Sequence, residues 1–256
     1  MPKTDAFETY ADRYEAWFEQ HAAAYESELQ AVRELWPPGK DGMEIGVGAG
    51  HFAGPLGIKT AVEPAAAMRE GAARRGIDAL DGVAEYLPFP DARFDAALMV
   101  TTLCFVDDAE RAVREMYRVL RPAGCAVIGF VDRESVLGRK YERRRASSVF
   151  YREARFYSAP EVYALLSGAG FVNMESRQTL FHHPSEMQEP DPVEEGIGRG
   201  SFVVMRGWWK PPFPGRTAAR SLLQGNGDRH QPPEDAEDRR RDQYAGDQGS
   251  NDSENK

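Results

Sequence analysis

The sequence predicts an α/β fold: a doubly wound seven-stranded sheet, six parallel strands and an antiparallel last strand, with helices on both faces. Three observations predict it. Short apolar runs alternate with helix-forming segments along most of the chain, as in a parallel sheet covered on both sides. A Gly-rich turn follows the first of these runs, where open sheets of this kind place their ligand site. The last two runs have only a Pro-rich, acidic linker between them, which suits an antiparallel pairing at the edge of the sheet.

The elements follow in order. Residues 5–35 carry Phe7, Tyr10, Tyr14, Trp17, Phe18, Tyr25, Leu29 and Val32 at helical spacing and stop at Pro37-Pro38-Gly39, so they read as one or two amphipathic helices. The strands are expected at GMEIGV, IKTAVE, IDALDG, FDAALMV, CAVIGFV, FVNMESRQTL and GSFVVMR. Between them, AAAMREGAARRG closes on Gly76 as a helix stop. Two further helices announce themselves by capping-box spacing, Asp107 with Glu110 and Ser158 with Glu161. The organisation expected is an N-terminal helical lid at 1–38, an α/β domain at 39–210 with a cover segment at 133–157, and a tail at 211–256. From about residue 225 the tail has almost no aliphatic side chain, so burial cannot offset the entropy of ordering and disorder is expected.

Composition bounds the function. The net charge of -9 argues against a nucleic-acid partner, which calls for a basic face. The Arg-rich run at 139–145 is read as a solvated helix surface. Cys104 and Cys125 are far apart and in no metal-like spacing, so neither a metal site nor a disulfide framework is expected. The acidic N-terminus lacks a signal-peptide core, and no apolar run reaches the ~20 residues of a membrane span. A cytoplasmic location with no membrane partner is the expectation, and oligomeric state is left open.

The motif with most chemical content is Glu44-Ile45-Gly46-Val47-Gly48-Ala49-Gly50-His51. Glycine permits positive φ and close approach of a ligand to the backbone. The second strand ends in Glu63, placed to accept hydrogen bonds from both hydroxyls of a ribose. Two cofactor classes fit this pair. A dinucleotide fingerprint wants glycine where this chain has His51, whereas the observed spacing is G-x-G-x-G preceded by Glu44.

That spacing resembles the first motif of class I S-adenosylmethionine-dependent methyltransferases. The stretch GVAEYLPFPDARFD (82–95) and the stretch REMYRVLRPAG (114–124) are similar to corresponding parts of the type 11 branch. The resemblance extends over about residues 7–207, including to bacterial proteins labelled histamine N-methyltransferase-like. It implies S-adenosyl-L-methionine as cofactor and makes 39–210 a methyltransferase domain. It also implies that Glu44, Gly46, Gly48 and Gly50 surround the methionine part and Glu63 holds the ribose. Ala84 and Glu85 would lie along the adenine, with Leu87 nearby, and Thr101 and Thr102 beside the sulfonium. Two positions depart from the pattern: Val83, where an acidic residue is common, and Ala123, where a second glycine is usual.

Methyl transfer from a sulfonium is an in-line displacement, so the protein chiefly aligns a small-molecule acceptor and excludes water. The acceptor is expected at the ends of the fourth and fifth strands. Tyr10, Tyr14 and Trp17 are candidate lid residues, since aromatic faces attract cations; the rival reading is a helix docked by its apolar face. Asp132, Cys104 and His182 are candidate catalytic groups. Their rival readings are a helix N-cap, inert packing and a surface turn. The catalytic residue itself is left unassigned. A non-catalytic cofactor-binding module and an NAD-type oxidoreductase are the alternatives.

Overall fold

The computed structural model describes residues 3–210. The expected tail at 211–256 therefore lies outside the described residues.

The 5–35 region forms three helices, α1 (Asp5–Thr9), α2 (Ala11–Gln20) and α3 (Ala22–Leu35). The sheet then builds up through β1 (Gly42–Ile45), α4 (Ala53–Leu56), β2 (Thr60–Val62), α5 (Ala66–Arg74), β3 (Asp78–Leu80) and β4 (Phe94–Val100). It continues through α6 (Ala109–Val119), β5 (Leu120–Val131), α7 (Val136–Arg144), α8 (Ala159–Ala169), β6 (Phe171–Thr179), β7 (Glu194–Glu195) and β8 (Phe202–Trp209).

The strand order is β3-β2-β1-β4-β5-β8-β6-β7. Strands β1 to β6 share one direction and β8 runs against them, as expected. Two details correct the sequence reading. The two-residue β7 adds an eighth strand, pairing Arg177 with Glu195 at the edge. And β8 is not at the edge: it inserts between β5 and β6, with Met205 opposite both Ile128 and Ser176. The apolar run Phe202–Val203–Val204–Met205, buried throughout, is the pattern of a strand covered on both faces.

Alternation along the strands divides the core. Met43, Ile45, Ala97, Met99, Ile128 and Val203 face α6 and α8. Leu98, Val100, Val127, Phe202 and Val204 face α3 and α7. α6 buries Ala109, Ala112, Val113, Met116 and Val119, a 3-and-4 spacing that covers one helix face. Its cap is Asp108, which accepts the N–H of Arg111, and not the expected Asp107. The cap shifts because the carboxylate of Glu85 takes the N–H groups of Asp107 and Asp108 at 2.7 and 3.2 Å. The Ser158–Glu161 capping box forms as expected, and Gly170 closes α8 at φ 107. Among the described residues no helix is long and apolar enough to cross a membrane.

Candidate cofactor and acceptor site

Parallel strands that start from one end of a sheet deliver their connecting loops to the other, and here those loops bound one continuous cavity of about 830 Å³. The segment 82–86 after β3 lines one end, Gly46 and Gly48 after β1 the middle, and Thr101 and Thr102 after β4 the section beyond. Val131 and Leu137, at the end of β5 and the start of α7, lie further along the strand order.

The Gly-rich turn is shaped for close approach. Gly46 has φ 69, and a Cβ there would collide with the side chain of Thr102. Thr102 Oγ1 in turn donates to the carbonyls of Gly46 and Val100, both at 3.0 Å. Gly48, at φ 53, has no room for a Cβ under the Tyr14 hydroxyl, 2.9 Å from where one would stand. Thr101 is β-branched yet sits at φ 48, a costly conformation held by its N–H on the Gly129 carbonyl.

Glu63 ties the turn to β2. Its two oxygens accept the N–H groups of Gly48 and Ala65, each at 2.9 Å. Burial raises its pKa, against the pull of those two hydrogen bonds. Glu44 lies beneath the turn, 1% exposed, and its Oε2 has no hydrogen-bond partner among the described residues. Burial drives its pKa well up. An unpaired buried carboxylate oxygen behind a Gly-rich turn, with a second carboxylate alongside, fits a ligand that brings an ammonium group and a diol.

Most of the expected cofactor residues come together. Gly46, Gly48, Glu63, Ala84, Glu85, Thr101 and Thr102 all border the cavity. Gly50 and Glu44 do not: Gly50 packs on Ile77, against which a Cβ there would collide, and Glu44 is buried behind the turn. The carboxylate of Glu85 is engaged with the backbone before α6, which leaves backbone groups and Tyr86, stacked under Arg111 at 3.6 Å, along that wall.

Tyr14 and Trp17 border the cavity, whereas Tyr10 is 45% exposed and off it. His51 occupies the position where a dinucleotide fingerprint has glycine, and it has another job. It stacks on Phe18 of α2 at 3.6 Å, and its Nε2 lies 3.1 Å from Glu15, which also pairs with Arg75 at 2.9 Å. At the other end of the cover, Glu8 of α1 accepts the N–H groups of Ala66 and Ala67 at the start of α5.

The three catalytic candidates lie off the main cavity. Asp132 is buried and spends Oδ1 on the N–H of Glu134, while Ser135 caps α7. Cys104 lines a separate hollow of about 20 Å³ beside Phe130 and Tyr157. Burial pushes its thiol up to about 12, out of the reactive range. His182 is a surface residue paired with Asp191 at 2.7 Å. A different carboxyl reaches the cavity: Glu28 of α3, 6% exposed. Its sequence signal was its place in the stripe Ala24, Glu28, Ala31, Val32, Leu35, whose other members are all apolar and buried.

Comparison with known proteins agrees with this geometry. Residues 43–128 match the model of a family described as methyltransferase domain. A Thermotoga maritima protein described as a SAM-dependent methyltransferase, possible histamine N-methyltransferase, is 54% identical in sequence. Its structure superposes with a TM-score of 0.79 over 81% of this chain and 100% of that one. An uncharacterized protein of Methanocaldococcus jannaschii is 40% identical over 201 residues, 78% of this chain and 97% of its own length. An uncharacterized Mycobacterium tuberculosis protein is 36% identical over 210 residues, 80% of this chain and 73% of its own.

Proposed function

The chain belongs to the S-adenosylmethionine-dependent methyltransferases, and from that premise we propose that it methylates a small-molecule acceptor held inside the cavity beneath α1 and α2. The observation that carries the acceptor's size is the aromatic cover over the site. The cavity runs from the β3 end to the β5 end of the sheet and is roofed by α1, α2 and the 133–157 segment through Phe7, Tyr14, Trp17, Tyr141 and Tyr151. Its volume of about 830 Å³ suits a cofactor plus one small partner, not a folded macromolecule.

When bound, S-adenosylmethionine supplies an activated methyl group, which the acceptor takes as the carbon–sulfur electron pair remains on sulfur. The residues have distinct tasks in this reading. Glu63 accepts from the ribose hydroxyls, exchanging its backbone hydrogen bonds for them. Glu44, whose Oε2 lacks a partner among the described residues, acts on the cofactor's ammonium through the turn it underlies. Gly46 and Gly48 let the ligand lie on the backbone, and Thr101 and Thr102 form the wall where the acceptor meets the methyl group. α1 and α2 exclude water by lying over Gly48; α3 belongs to the core against the sheet, so the cover is narrower than the whole of 1–38.

The test is calorimetric titration with S-adenosylmethionine, S-adenosylhomocysteine and NADH, followed by a methyl-transfer screen of amines, thiols and carboxylates. Saturable binding of the two sulfur ligands and of no NADH is expected. Histamine belongs in the screen because of the description given to the Thermotoga protein. Binding of NADH, or of none of the three, sinks the reading.

A further inference from the structure

Glu28 is an ionisable group for which the fold supplies no partner. It sits in the middle of α3, is 6% exposed, and none of the described residues donates a hydrogen bond to it or pairs with it. It nevertheless borders the cavity and is not sealed in the core. Its position along the sheet follows from packing: α3 lies against β5, β6 and β8, so Glu28 enters from the β5 side. The Gly-rich turn and Glu63 belong to β1 and β2, further along the strand order. The carboxyl therefore belongs to the acceptor's part of the cavity.

The surroundings define what the carboxyl would meet. Tyr14 of α2, Tyr141 of α7 and Tyr151 beyond it line the same space; burial raises the pKa of all three hydroxyls, with the negative charge of Glu28 a lesser contribution. The rings pack on one another: Tyr141 stacks on Tyr151 with centroids 5.1 Å apart, and Tyr14 meets Phe18 edge-on at 5.2 Å. None of the three hydroxyls makes a hydrogen bond within the described residues. Of the basic side chains that border the cavity none pairs with Glu28: His21 has its Nδ1 at the Trp17 carbonyl, and Arg13 is solvent-exposed on α2.

An unpaired buried carboxyl is costly, and the cost is removed by a cation brought in from outside. Aromatic faces around it add a second preference for positive charge and accommodate an apolar body. We propose that Glu28 is the specificity-determining anchor for a small cationic amine, whose ammonium donates to the carboxylate while its body lies against Tyr14, Tyr141 and Tyr151. The proposal rests on the methyltransferase reading and narrows its acceptor to a molecule that carries an amine; for that nitrogen itself to be methylated, the ammonium first gives a proton to the Glu28 carboxylate, which frees the lone pair that takes the methyl group.

The test uses the full chain saturated with S-adenosylhomocysteine, whose own binding is measured first. A panel of monoamines with arylethyl and alkyl bodies, 2-phenylethylamine among them, is titrated beside the matching alcohols and carboxylates. For wild type, at least one amine is expected to bind tenfold or more tighter than its alcohol, with the matching carboxylate weakest. In Glu28→Gln that amine should weaken at least tenfold while the alcohol stays within about twofold and S-adenosylhomocysteine is unchanged. Glu28→Leu serves as a second variant. A merely structural role for Glu28 would shift melting temperature without erasing the preference for amine over alcohol. The proposal is overturned if no amine in the panel binds, if alcohols bind as well as amines, or if either variant keeps the preference. Failure of S-adenosylhomocysteine to bind wild type counts against the cofactor reading instead, and the same titrations on the cofactor-free protein then decide the role of Glu28.

Discussion

Glu63, the last residue before the turn that leaves β2, holds the turn that leaves β1: its Oε2 accepts the N–H of Gly48 at 2.9 Å while its Oε1 accepts that of Ala65. One carboxylate thus bridges two strand ends in the ligand-free site. A ribose that displaces either hydrogen bond is recognised by a group already oriented. Glu63→Ala is expected to weaken S-adenosylmethionine by on the order of 1.5–3 kcal/mol, as for loss of hydrogen bonds to a charged acceptor. Calorimetry checks this, and unchanged affinity would remove Glu63 from the site.

The turn itself is tested at Gly46. At φ 69 and with Thr102 against the position of a Cβ, Gly46→Ala meets both backbone strain and a clash. A loss of stability of at least about 1–2 kcal/mol is expected from the left-handed conformation alone, with S-adenosylhomocysteine binding much reduced. Adding Thr102→Ala should restore only part of the stability, because it removes the two nearest atoms but leaves the Cβ of residue 102 at 2.9 Å and leaves the φ. Full rescue in denaturant titrations would mean that sterics alone set this position.

Glu28 makes stability depend on pH in a stated direction. Burial pushes its carboxyl up to about 8 in the folded chain, against about 4.3 when unfolded. Between those values the folded state holds a proton that the unfolded state has lost, so stability falls as pH rises through this window and levels off above about 8. Glu28→Gln lacks this penalty. It should melt above wild type at pH 9 by an amount corresponding to a few kcal/mol, order of magnitude only, with the gap closing towards pH 4. A gap independent of pH would place the effect elsewhere.

Asp108 caps α6 and accepts from Arg111 at 2.9 Å. Asp108→Ala is expected to cost about 1 kcal/mol, the usual worth of an N-cap. Glu85→Gln should destabilise the same helix start through the loss of its charge-assisted bonds to the Asp107 and Asp108 N–H groups. Thermal melts of the single and double variants would reveal the coupling between them as non-additivity.

These residues also mark where sequence reasoning reaches and where it stops. The strand ends, the glycine turn and Glu63 were legible because backbone geometry favours particular residues there: glycine suits the positive φ of Gly46 and Gly48, and a Cβ at either would be too close to a neighbouring side chain. The insertion of β8 between β5 and β6 was not, since the pairing of distant strands depends on which faces are left uncovered. Its run of four buried apolar residues was the available sign. The cap moved from Asp107 to Asp108 for a similar reason, because Glu85 acts from over 20 residues away. Glu28 escaped notice because a glutamate in an amphipathic helix is usually solvated. Only its phase relative to Ala24, Ala31 and Val32 set it apart.

The attachment of α1 and α2 bears on kinetics. Glu8 grips the start of α5, and Glu15 with Phe18 grips His51 of the glycine turn, so both helices are fastened to the walls of the space they cover. An exchange of contents that lifts α1 and α2 breaks those fastenings once per cycle. Turnover would then follow a compulsory order, with departure of the spent nucleoside as the slow event. A pre-steady-state burst of methylated product, lengthened in more viscous buffer and abolished by His51→Ala, would be its signature.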